Sequence, residues 1–289
     1  MSWSTVPTAG GSRTERSRSG STLATRRRSS ITTDLFSVAG KRAVVTGGSR
    51  GIGLMIARGL VQAGAEVLIC SRKADVCEQA VAELSQWGTC TGVAADLSTP
   101  AGVLVVADEA RSRFAALDVL VNNAGATWGA ALADYPDHAW DRVLGTNLRG
   151  PFQLTVELLE LLRAAVRPDD PARVINIGSV DGIVVPSANN FAYSTSKAGL
   201  HMMTRHLAKS LAYERITVNA IAPGPFESKM MAFALDDPVA RQEIEADVPL
   251  GRIGTPDDIV GATVFLASRA GAYLTGALIP VDGGLVGCR

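Results

Sequence analysis

The sequence predicts an α/β fold in which a parallel β-sheet carries helices on both faces. Seven short runs of mostly β-branched and apolar residues recur along the chain, and most are separated by stretches long enough for a helix. The chain of 289 residues is 47% hydrophobic, which is enough to bury the core of one large domain. The predicted strands are Ala43–Thr46, Ala65–Cys70, Thr91–Ala95, Leu117–Val121, Arg173–Ile177, Ile216–Ile221 and Ala277–Val281.

The first 33 residues differ in composition from the rest. They contain six arginines against one acid, Glu15, and few apolar side chains. We therefore predict a disordered tail over 1–33 and one catalytic domain over 34–289. A mitochondrial transit peptide is the alternative for the tail, although its apolar residues are too sparse for an amphipathic face. The whole chain balances 28 basic against 28 acidic residues, so the domain has no basic bias toward nucleic acid.

Two further classes of protein are disfavoured. The chain has no run of about 18 apolar residues, so we predict no membrane span. Its four cysteines form neither a CxxC pair nor a Cys/His cluster with the spacing of metal ligands. We expect free thiols, no metal site and a cytoplasmic location.

The first predicted strand runs into the glycine-rich stretch TGGSRGIG, residues 46–53. A helical period follows in Ile52, Ile56 and Leu60, and Gly64 is placed to end that helix. A diphosphate can bind the amino terminus of such a helix when the preceding turn lacks Cβ atoms. The order of strand, glycine turn and helix therefore predicts a Rossmann-type dinucleotide site, whereas a tight turn without a ligand is the alternative.

The end of the second strand indicates which dinucleotide binds. Folds that prefer NAD usually place an acidic residue there, to bind the ribose hydroxyls. Here Ser71 is followed by Arg72 and Lys73, and Arg50 lies in the glycine turn. Three cations and no acid favour the 2′-phosphate of NADP(H), unless Arg72 and Lys73 are only solvated loop residues.

Further motifs follow in a characteristic order. NNAG occupies 122–125, and YSTSK occupies 193–197. Together with the glycine turn, Asp96-Leu97 and Pro223-Gly224, they make the chain resemble the classical short-chain dehydrogenase/reductase family from about residue 36 onward. Within that family it is similar to NADPH-dependent 3-oxoacyl reductases.

The candidate catalytic residues are Asn147, Ser179, Tyr193 and Lys197. Reduction of a ketone needs an acid beside the carbonyl oxygen, where negative charge develops. Lys197 follows Tyr193 by four residues, so on one helix its ammonium would share a face with the phenol and stabilise the phenolate. Ser179 would donate a hydrogen bond to the substrate oxygen, and the resemblance implies a proton relay through Asn147.

The glycine turn, the cationic strand end and the resemblance together imply a set of cofactor contacts. These residues are Gly47, Ser49, Arg50, Gly51, Ile52, Gly53, Ser71, Arg72, Asp96, Leu97, Asn123, Ala124, Gly125, Tyr193, Lys197, Pro223, Gly224 and Ser228. Asp96 would bind the adenine amine, and the Pro-Gly pair would face the nicotinamide carboxamide.

We predict a substrate pocket that includes Trp128, Asp181, Phe191 and Phe226. Asp181 lies two residues after Ser179, where relatives usually have a small or apolar residue. It would select a polar or cationic substrate group, unless it is only a solvated turn residue. Two histidines that follow Tyr193, His201 and His206, are expected to face solvent or a partner subunit.

The sequence therefore predicts an NADPH-dependent carbonyl reductase for a ketone, with a 3-oxoacyl type of substrate and Tyr193 as general acid. The alternatives are a dehydrogenase for a secondary alcohol (sugar, polyol or steroid) and a non-catalytic dinucleotide-binding scaffold. The resemblance also implies a homotetramer, with a dimer as the alternative. The surfaces available for it are the apolar face Leu154, Leu158 and Leu161 and the run Ala277–Val281.

Overall fold

The computed structural model describes residues 35–227 and 237–288. Within these ranges, seven parallel strands form one sheet in the order β3-β2-β1-β4-β5-β6-β7. All seven predicted strands are confirmed, with ends that differ by at most two residues. The strands are β1 Arg42–Thr46, β2 Glu66–Ser71, β3 Cys90–Ala94, β4 Val119–Asn122, β5 Ala172–Ile177, β6 Ile216–Pro223 and β7 Leu278–Val281.

Helices connect the strands and cover both faces of the sheet. They are α1 Gly51–Gln62, α2 Ala74–Leu84, α3 Pro100–Arg113, α4 Asp137–Leu144, α5 Gly150–Glu157, α6 Leu159–Ala165, α7 Phe191–Leu211, α8 Pro238–Asp247 and α9 Pro256–Ala267. A π-helical segment, Gly145–Arg149, joins α4 to α5. The predicted α/β doubly wound fold is therefore confirmed.

The strands bury both of their faces, because successive side chains point to opposite sides of the sheet. On β1, Val45 packs with α1, α2 and α9, whereas Val44 packs on the other face with α3, α5 and α7. The chain from Phe36 onward forms one compact unit. The predicted tail over 1–33 and the cofactor contact Ser228 lie outside the described residues.

The sheet order reverses direction at β1, which has β2 on one side and β4 on the other. Crossovers leave in opposite directions at such a point, so the loops after the two central strands separate and leave a crevice. Thr46 ends β1 and Asn122 ends β4 at this same edge. We call it the carboxyl edge, and it carries the candidate site.

The opposite, amino edge of the sheet holds a cluster of buried charges. Lys41 Nζ lies 2.6 Å from Asp170 Oδ2, and Arg173 Nη1 lies 2.7 Å from Asp170 Oδ1. Arg173 is 0% exposed and also donates to the backbone carbonyls of Leu266 and Ser268. The cluster thus ties the starts of β1 and β5 to the end of α9.

One predicted interface is wrong. Leu154 and Leu158 are 0% exposed and belong to the core of the domain itself, between α3 and the sheet. The residues of α5 that reach the surface are instead Phe152 and Val156. The helical period was right, but the face assigned to a partner is the face that packs on the sheet.

No helix in the described part of the chain is long and apolar enough to cross a membrane.

Candidate active site

The glycine turn at the end of β1 has the backbone that the motif predicted. Gly47 and Gly51 take φ of 65° and 52°, which only glycine adopts without strain. Gly53 is needed for a different reason: a Cβ there would lie 2.3 Å from the carbonyl oxygen of Gly47. Arg50 precedes α1 with an extended backbone and no side-chain hydrogen bond to the helix. The amino end of α1 is thus uncapped by a side chain and is approached through a turn that contains three glycines, so it fits a diphosphate.

Thr46 connects this turn to the NNAG loop. Its Oγ1 accepts hydrogen bonds from the backbone N–H groups of Asn123 and Ala124, at 2.8 and 2.9 Å. A second hydrogen bond joins the same two residues, because Asn123 Nδ2 donates to the carbonyl of Thr46 at 2.8 Å. The sequence reasoning did not single out Thr46, although a hydroxyl at the end of a buried strand is a usable signal for such a contact.

The end of β2 presents cations to the same crevice. Ser49 Oγ donates to Ser71 Oγ at 2.9 Å, which holds the glycine turn against the strand end. Arg50, Arg72 and Lys73 follow these two serines and are exposed. Serine hydroxyls and guanidinium groups donate hydrogen bonds to phosphate oxygens, so this set of donors fits a 2′-phosphate.

Asp96 and Leu97 follow β3 on the same side of the sheet. Leu97 is buried, whereas Asp96 is exposed and accepts a hydrogen bond from the backbone N–H of Ser98. Partial burial raises the pKa of Asp96, but the hydrogen bonds from Ser98 and the charge of Arg72 outweigh this and hold it below its ordinary value. Asp96 is thus an ionised acceptor near Arg72.

Ser179 and Tyr193 meet at the carboxyl ends of β5 and β6. Ser179 follows β5, and Tyr193 lies in the first turn of α7; the Ser179 hydroxyl lies near enough to the phenol to lower the pKa of Tyr193. Gly178 N–H donates to the carbonyl of Ile221 at 2.7 Å, which ties the serine turn to β6. The fold thus brings together two hydroxyls that stand 14 residues apart in the sequence.

Lys197 lies one helical turn beyond Tyr193 and is 4% exposed. Its Nζ donates to the carbonyl of Ile177 at 2.8 Å and lies 5.6 Å from the centroid of the Tyr193 ring. Burial lowers the pKa of Lys197 to about 8, while the negative charge of Asp181 opposes that shift. The shared helical face predicted from the spacing is therefore present.

Burial has the largest effect on the pKa of the Tyr193 hydroxyl. Burial raises its pKa to about 12, the Ser179 hydroxyl lowers it, and the charge of Asp181 raises it. Proximity to Lys197 does not outweigh burial. At neutral pH the phenol is protonated.

Asn147 lies in the π-helical segment and is buried. Its Oδ1 accepts from the N–H of Ala126, and its Nδ2 donates to the carbonyl of Ala126 and to Ser196 Oγ, all within 2.9 Å. The side chain thus joins the residue after NNAG to α7. A Cβ built on Gly125 would lie 3.6 Å from Asn147 Oδ1 and 3.9 Å from Lys197 Nζ, so the amide and the ammonium flank the same glycine.

Tyr193 packs in a cluster with other aromatic side chains. Trp128, Tyr135 and Trp140 pack with it around the buried Ala126, Val143 and Ala192. Tyr135 also meets Phe191 edge to face at 5.4 Å between ring centroids. Its hydroxyl donates to the carbonyl of Trp128 at 3.2 Å and accepts from the N–H of Ala192 at 3.1 Å. Tyr135, which the sequence reasoning missed, therefore connects the predicted pocket residues Trp128 and Phe191.

Asp181 is bound within the protein rather than free in solvent. Its Oδ2 accepts from Asn190 Nδ2 at 2.9 Å, and its backbone N–H donates to Ser179 Oγ at 3.1 Å. Asn190 directly precedes α7. The carboxylate thus links the serine turn to the start of the helix that carries Tyr193.

Two residues lie elsewhere than predicted. Phe226 is 2% exposed and packs in the core, where a Cβ on Gly254 would lie 2.3 Å from its ring. It lines a cavity of about 450 Å³ with residues of the last strand such as Pro280 and Val281, and that lining contains none of the catalytic candidates. His201, expected at the surface, is 5% exposed and lies behind the serine turn, whereas His206 is exposed as predicted. We remove Phe226 from the substrate contacts.

Within residues 35–227 and 237–288, no group of three or more His, Cys, Asp or Glu side chains could hold a metal ion.

Comparison with known proteins covers the whole of this site. The enoyl-(acyl carrier protein) reductase family model matches residues 47–286. A rhamnolipids biosynthesis 3-oxoacyl-(acyl-carrier-protein) reductase from Pseudomonas aeruginosa is 49% identical over 249 residues, which are 86% of this chain and 97% of that protein. The 3-oxoacyl-(acyl-carrier-protein) reductase FabG from Salmonella typhimurium is 36% identical over 250 residues, which are 86% of this chain and 99% of that protein.

A similar structure has also been solved with a bound cofactor. The Pseudomonas aeruginosa RhlG/NADP active-site complex superposes with a TM-score of 0.85 at 48% identity, over 88% of this chain and 99% of that chain. The range matched by the family model extends from the glycine turn through the serine, tyrosine and lysine to β7.

Proposed function

Since the chain belongs to the short-chain dehydrogenase/reductase family, we propose that it is an NADPH-dependent reductase that transfers hydride to the ketone of a 3-oxoacyl-type substrate. The observation that carries this proposal is that Ser179 and Tyr193 come together at the carboxyl edge, with the buried Lys197 one turn away and its Nζ 5.6 Å from the Tyr193 ring centroid. A scaffold that only binds a dinucleotide has no need of this arrangement.

Two hydroxyls side by side suit a carbonyl oxygen better than a carbon–carbon double bond. Negative charge develops on the carbonyl oxygen during reduction, and both Ser179 and Tyr193 can donate to that one atom. The matched family description names an enoyl reductase, whereas both relatives compared above are named as 3-oxoacyl reductases. The hydroxyl pair supports the ketone.

The raised pKa of Tyr193 leaves its phenol in the protonated form that reduction requires. A phenol with a pKa of about 12 is protonated at neutral pH and is ready to give its proton to the developing alkoxide. Oxidation of an alcohol needs the phenolate, which burial disfavours. Tyr193 thus acts as general acid, Ser179 orients the carbonyl oxygen, Lys197 stabilises the phenolate left behind, and Asn147 carries the proton relay onward.

We assign the cofactor to the crevice between β1, β2 and β4. Gly47, Gly51 and the amino end of α1 would hold the diphosphate, and Arg50 and Arg72 the 2′-phosphate. When bound, NADPH supplies the hydride and, once oxidised, a positive charge that lowers the cost of the Tyr193 phenolate. RhlG, which has an NADP complex, supports this cofactor.

The test is consumption of NADPH with a panel of 3-oxoacyl thioesters, a crotonyl thioester, a sugar ketone and a steroid ketone, with NADH in parallel. We expect turnover of the 3-oxoacyl thioesters with NADPH. Turnover of the crotonyl thioester alone would establish an enoyl reductase. Turnover of the sugar or steroid ketone alone would establish a dehydrogenase for such a secondary alcohol. Tight NADPH binding without turnover of any substrate would establish a non-catalytic scaffold.

We also propose a homotetramer in the cytoplasm. Leu104 and Val105 on α3 and Phe152 and Val156 on α5 leave apolar side chains exposed on adjacent helices. The edge strand β7 is half-buried and offers a second contact. Sedimentation at micromolar concentration tests this, since a monomer would contradict it. The alternative location in mitochondria depends on residues 1–33, outside the described ranges.

A further inference from the structure

His201 lies behind the catalytic serine, on the face of α7 that also carries Lys197. The two residues are four apart, so they are neighbours on the helix surface. His201 is 5% exposed. Burial lowers its pKa to about 4, with the carbonyl of Gly182 opposing this shift and the charges of Lys197 and Arg205 adding to it, so the ring is neutral at neutral pH.

The ring occupies space that two glycines leave open. A Cβ on Gly178 would lie 2.2 Å from His201 Nε2 and 2.8 Å from its Cδ2. A Cβ on Gly182 would lie 2.7 Å from His201 Cε1. Neither glycine has a positive φ, so the backbone conformation does not require glycine at these positions. Gly178 is there because the imidazole packs directly on the backbone, whereas at Gly182 a Cβ would meet both the imidazole and the backbone of α7, at 2.7 Å from Ala198 N and Lys197 C.

These two glycines flank Ser179. Gly178 precedes it, and Gly182 N–H closes the turn by donating to the carbonyl of Ser179 at 3.1 Å. On the other side, Lys197 donates to Ile177, the residue before Gly178. Within the described residues, His201 Nε2 has no hydrogen-bond partner. The ring therefore holds the turn through its shape rather than through a hydrogen bond from that nitrogen.

We propose that His201 is a positioning residue for the reduction: its imidazole sets the position of the Ser179 turn against α7, and thereby the position of the Ser179 hydroxyl relative to that of Tyr193. The proposal rests on the reductase function proposed above. Small displacements of reacting groups are costly, because a misplacement of about 1 Å can reduce a rate by about 100-fold.

A double-mutant cycle tests the contact itself. His201→Ala should lower kcat by about 10- to 100-fold and leave the Kd for NADPH unchanged. Gly178→Ala should also lower kcat, because its methyl group would overlap the ring. In the double variant the methyl group enters the space that the ring has left, so kcat should exceed that of Gly178→Ala alone. Independent effects, in which the two losses multiply, would overturn the proposal.

Matched variants separate position from folding. His206→Ala removes an exposed imidazole from the same helix, and Gly261→Ala adds a Cβ that meets nothing within 4 Å; both should keep the wild-type kcat. His201→Gln extends a planar group toward the two glycines and should restore part of kcat. It also serves in the cycle if His201→Ala does not fold, as judged by circular dichroism and thermal unfolding.

The outcomes distinguish this proposal from the function on which it rests. An active wild type together with an unchanged kcat in His201→Ala overturns only the role of His201. A wild type that reduces no ketone of the panel overturns the reductase function, and the positioning role falls with it.

Discussion

Both edges of the sheet bury charged side chains, but they satisfy them differently. At the amino edge, Lys41 and Arg173 both pair with Asp170 within 2.7 Å. At the carboxyl edge, Lys197 is equally buried but donates to a carbonyl, and no carboxylate of the described residues lies within ion-pair distance of it. The comparison shows that paired charges hold the strands together at one edge, while an unpaired cation is kept beside the reacting hydroxyls at the other.

The ionisation of the two clusters follows from this difference. Burial raises the pKa of Asp170, but Lys41 and Arg173 outweigh it and hold it below the ordinary value. The pairing is less effective for Lys41, whose pKa burial still lowers although Asp170 opposes that shift. Tyr193 and Lys197 are both shifted toward their neutral forms, because burial is not offset by a close opposite charge. The carboxyl edge is thus poised to respond to a charge that arrives with a ligand.

The largest expected effect separates chemistry from stability at the carboxyl edge. Tyr193→Phe keeps the ring and its packing but removes the acid, so kcat should fall by about 10² to 10⁴. NADPH binding and the melting temperature should stay as in the wild type. Steady-state kinetics with a 3-oxoacyl thioester measures the loss, and Tyr273→Phe, at a fully exposed tyrosine, is the control. Retention of most of the activity would mean that another group supplies the proton.

The amino edge should respond in the opposite way. Asp170→Asn leaves Lys41 and Arg173 buried without their partner, so the free energy of unfolding should fall by about 3 to 5 kcal/mol. The kcat of the folded fraction should not change. Urea unfolding measures the loss, and Asp108→Asn, which removes an exposed pair with Arg111, should cost less than about 1 kcal/mol. Equal losses in the two variants would remove the distinction between the edges.

The buried His201 at the carboxyl edge should make the free energy of unfolding depend on pH in the acid range. The pKa of His201 is about 4 in the folded chain and about 6.5 when unfolded, so between these values the unfolded state binds the extra proton. Stability should therefore fall as the pH drops from 6.5 to 4, by on the order of 3 kcal/mol from this one group. The positive charges of Lys197 and Arg205, on the same helix, also lower the pKa of His201, whereas the backbone of Gly182 in the packed turn raises it.

The difference between two variants isolates that contribution. Unfolding free energies measured across this pH range should decline less steeply in His201→Gln than in the wild type. His206→Gln, at an exposed histidine of the same helix, should follow the wild-type curve. Parallel curves for all three proteins would show that His201 titrates as it does in the unfolded chain.

The smallest expected effect is on cofactor affinity and concerns Arg72, an exposed cation at the end of β2. Arg72→Ala should weaken NADPH binding by about tenfold and leave NADH nearly unchanged, because a charge-assisted hydrogen bond to the 2′-phosphate contributes about 1.5 to 3 kcal/mol. Arg113→Ala removes an exposed arginine that already pairs with Glu109 and should change neither. Titration of both cofactors by fluorescence measures this, and an equal loss for NADPH and NADH would contradict the assignment.

Local patterns predicted a large part of the fold and the site. The seven strands could be located because each is short, apolar and bounded by turns, and a strand buried on both faces needs no knowledge of its partners. The spacing of Tyr193 and Lys197 predicted their shared face, since helical geometry alone determines it. Thr46 and Tyr135 were missed, because their hydroxyls act on backbone groups that are distant in sequence.

The amino-acid sequence by itself determined the order of strands and helices, the glycine turn, and the residue types available for hydride transfer, since these depend on local periodicity and on chemistry. Only the tertiary structure decided which face of a helix is inside. The helical period alone does not tell the buried Leu154 and His201 from the exposed residues of their helices. Leu154 is buried because the sheet and α3 pack on its face, and His201 because the Ser179 turn packs on it. The pKa of Tyr193 was decided in the same way: its neighbour Lys197 predicted a lower value, but desolvation depends on every element around the hydroxyl and raises it.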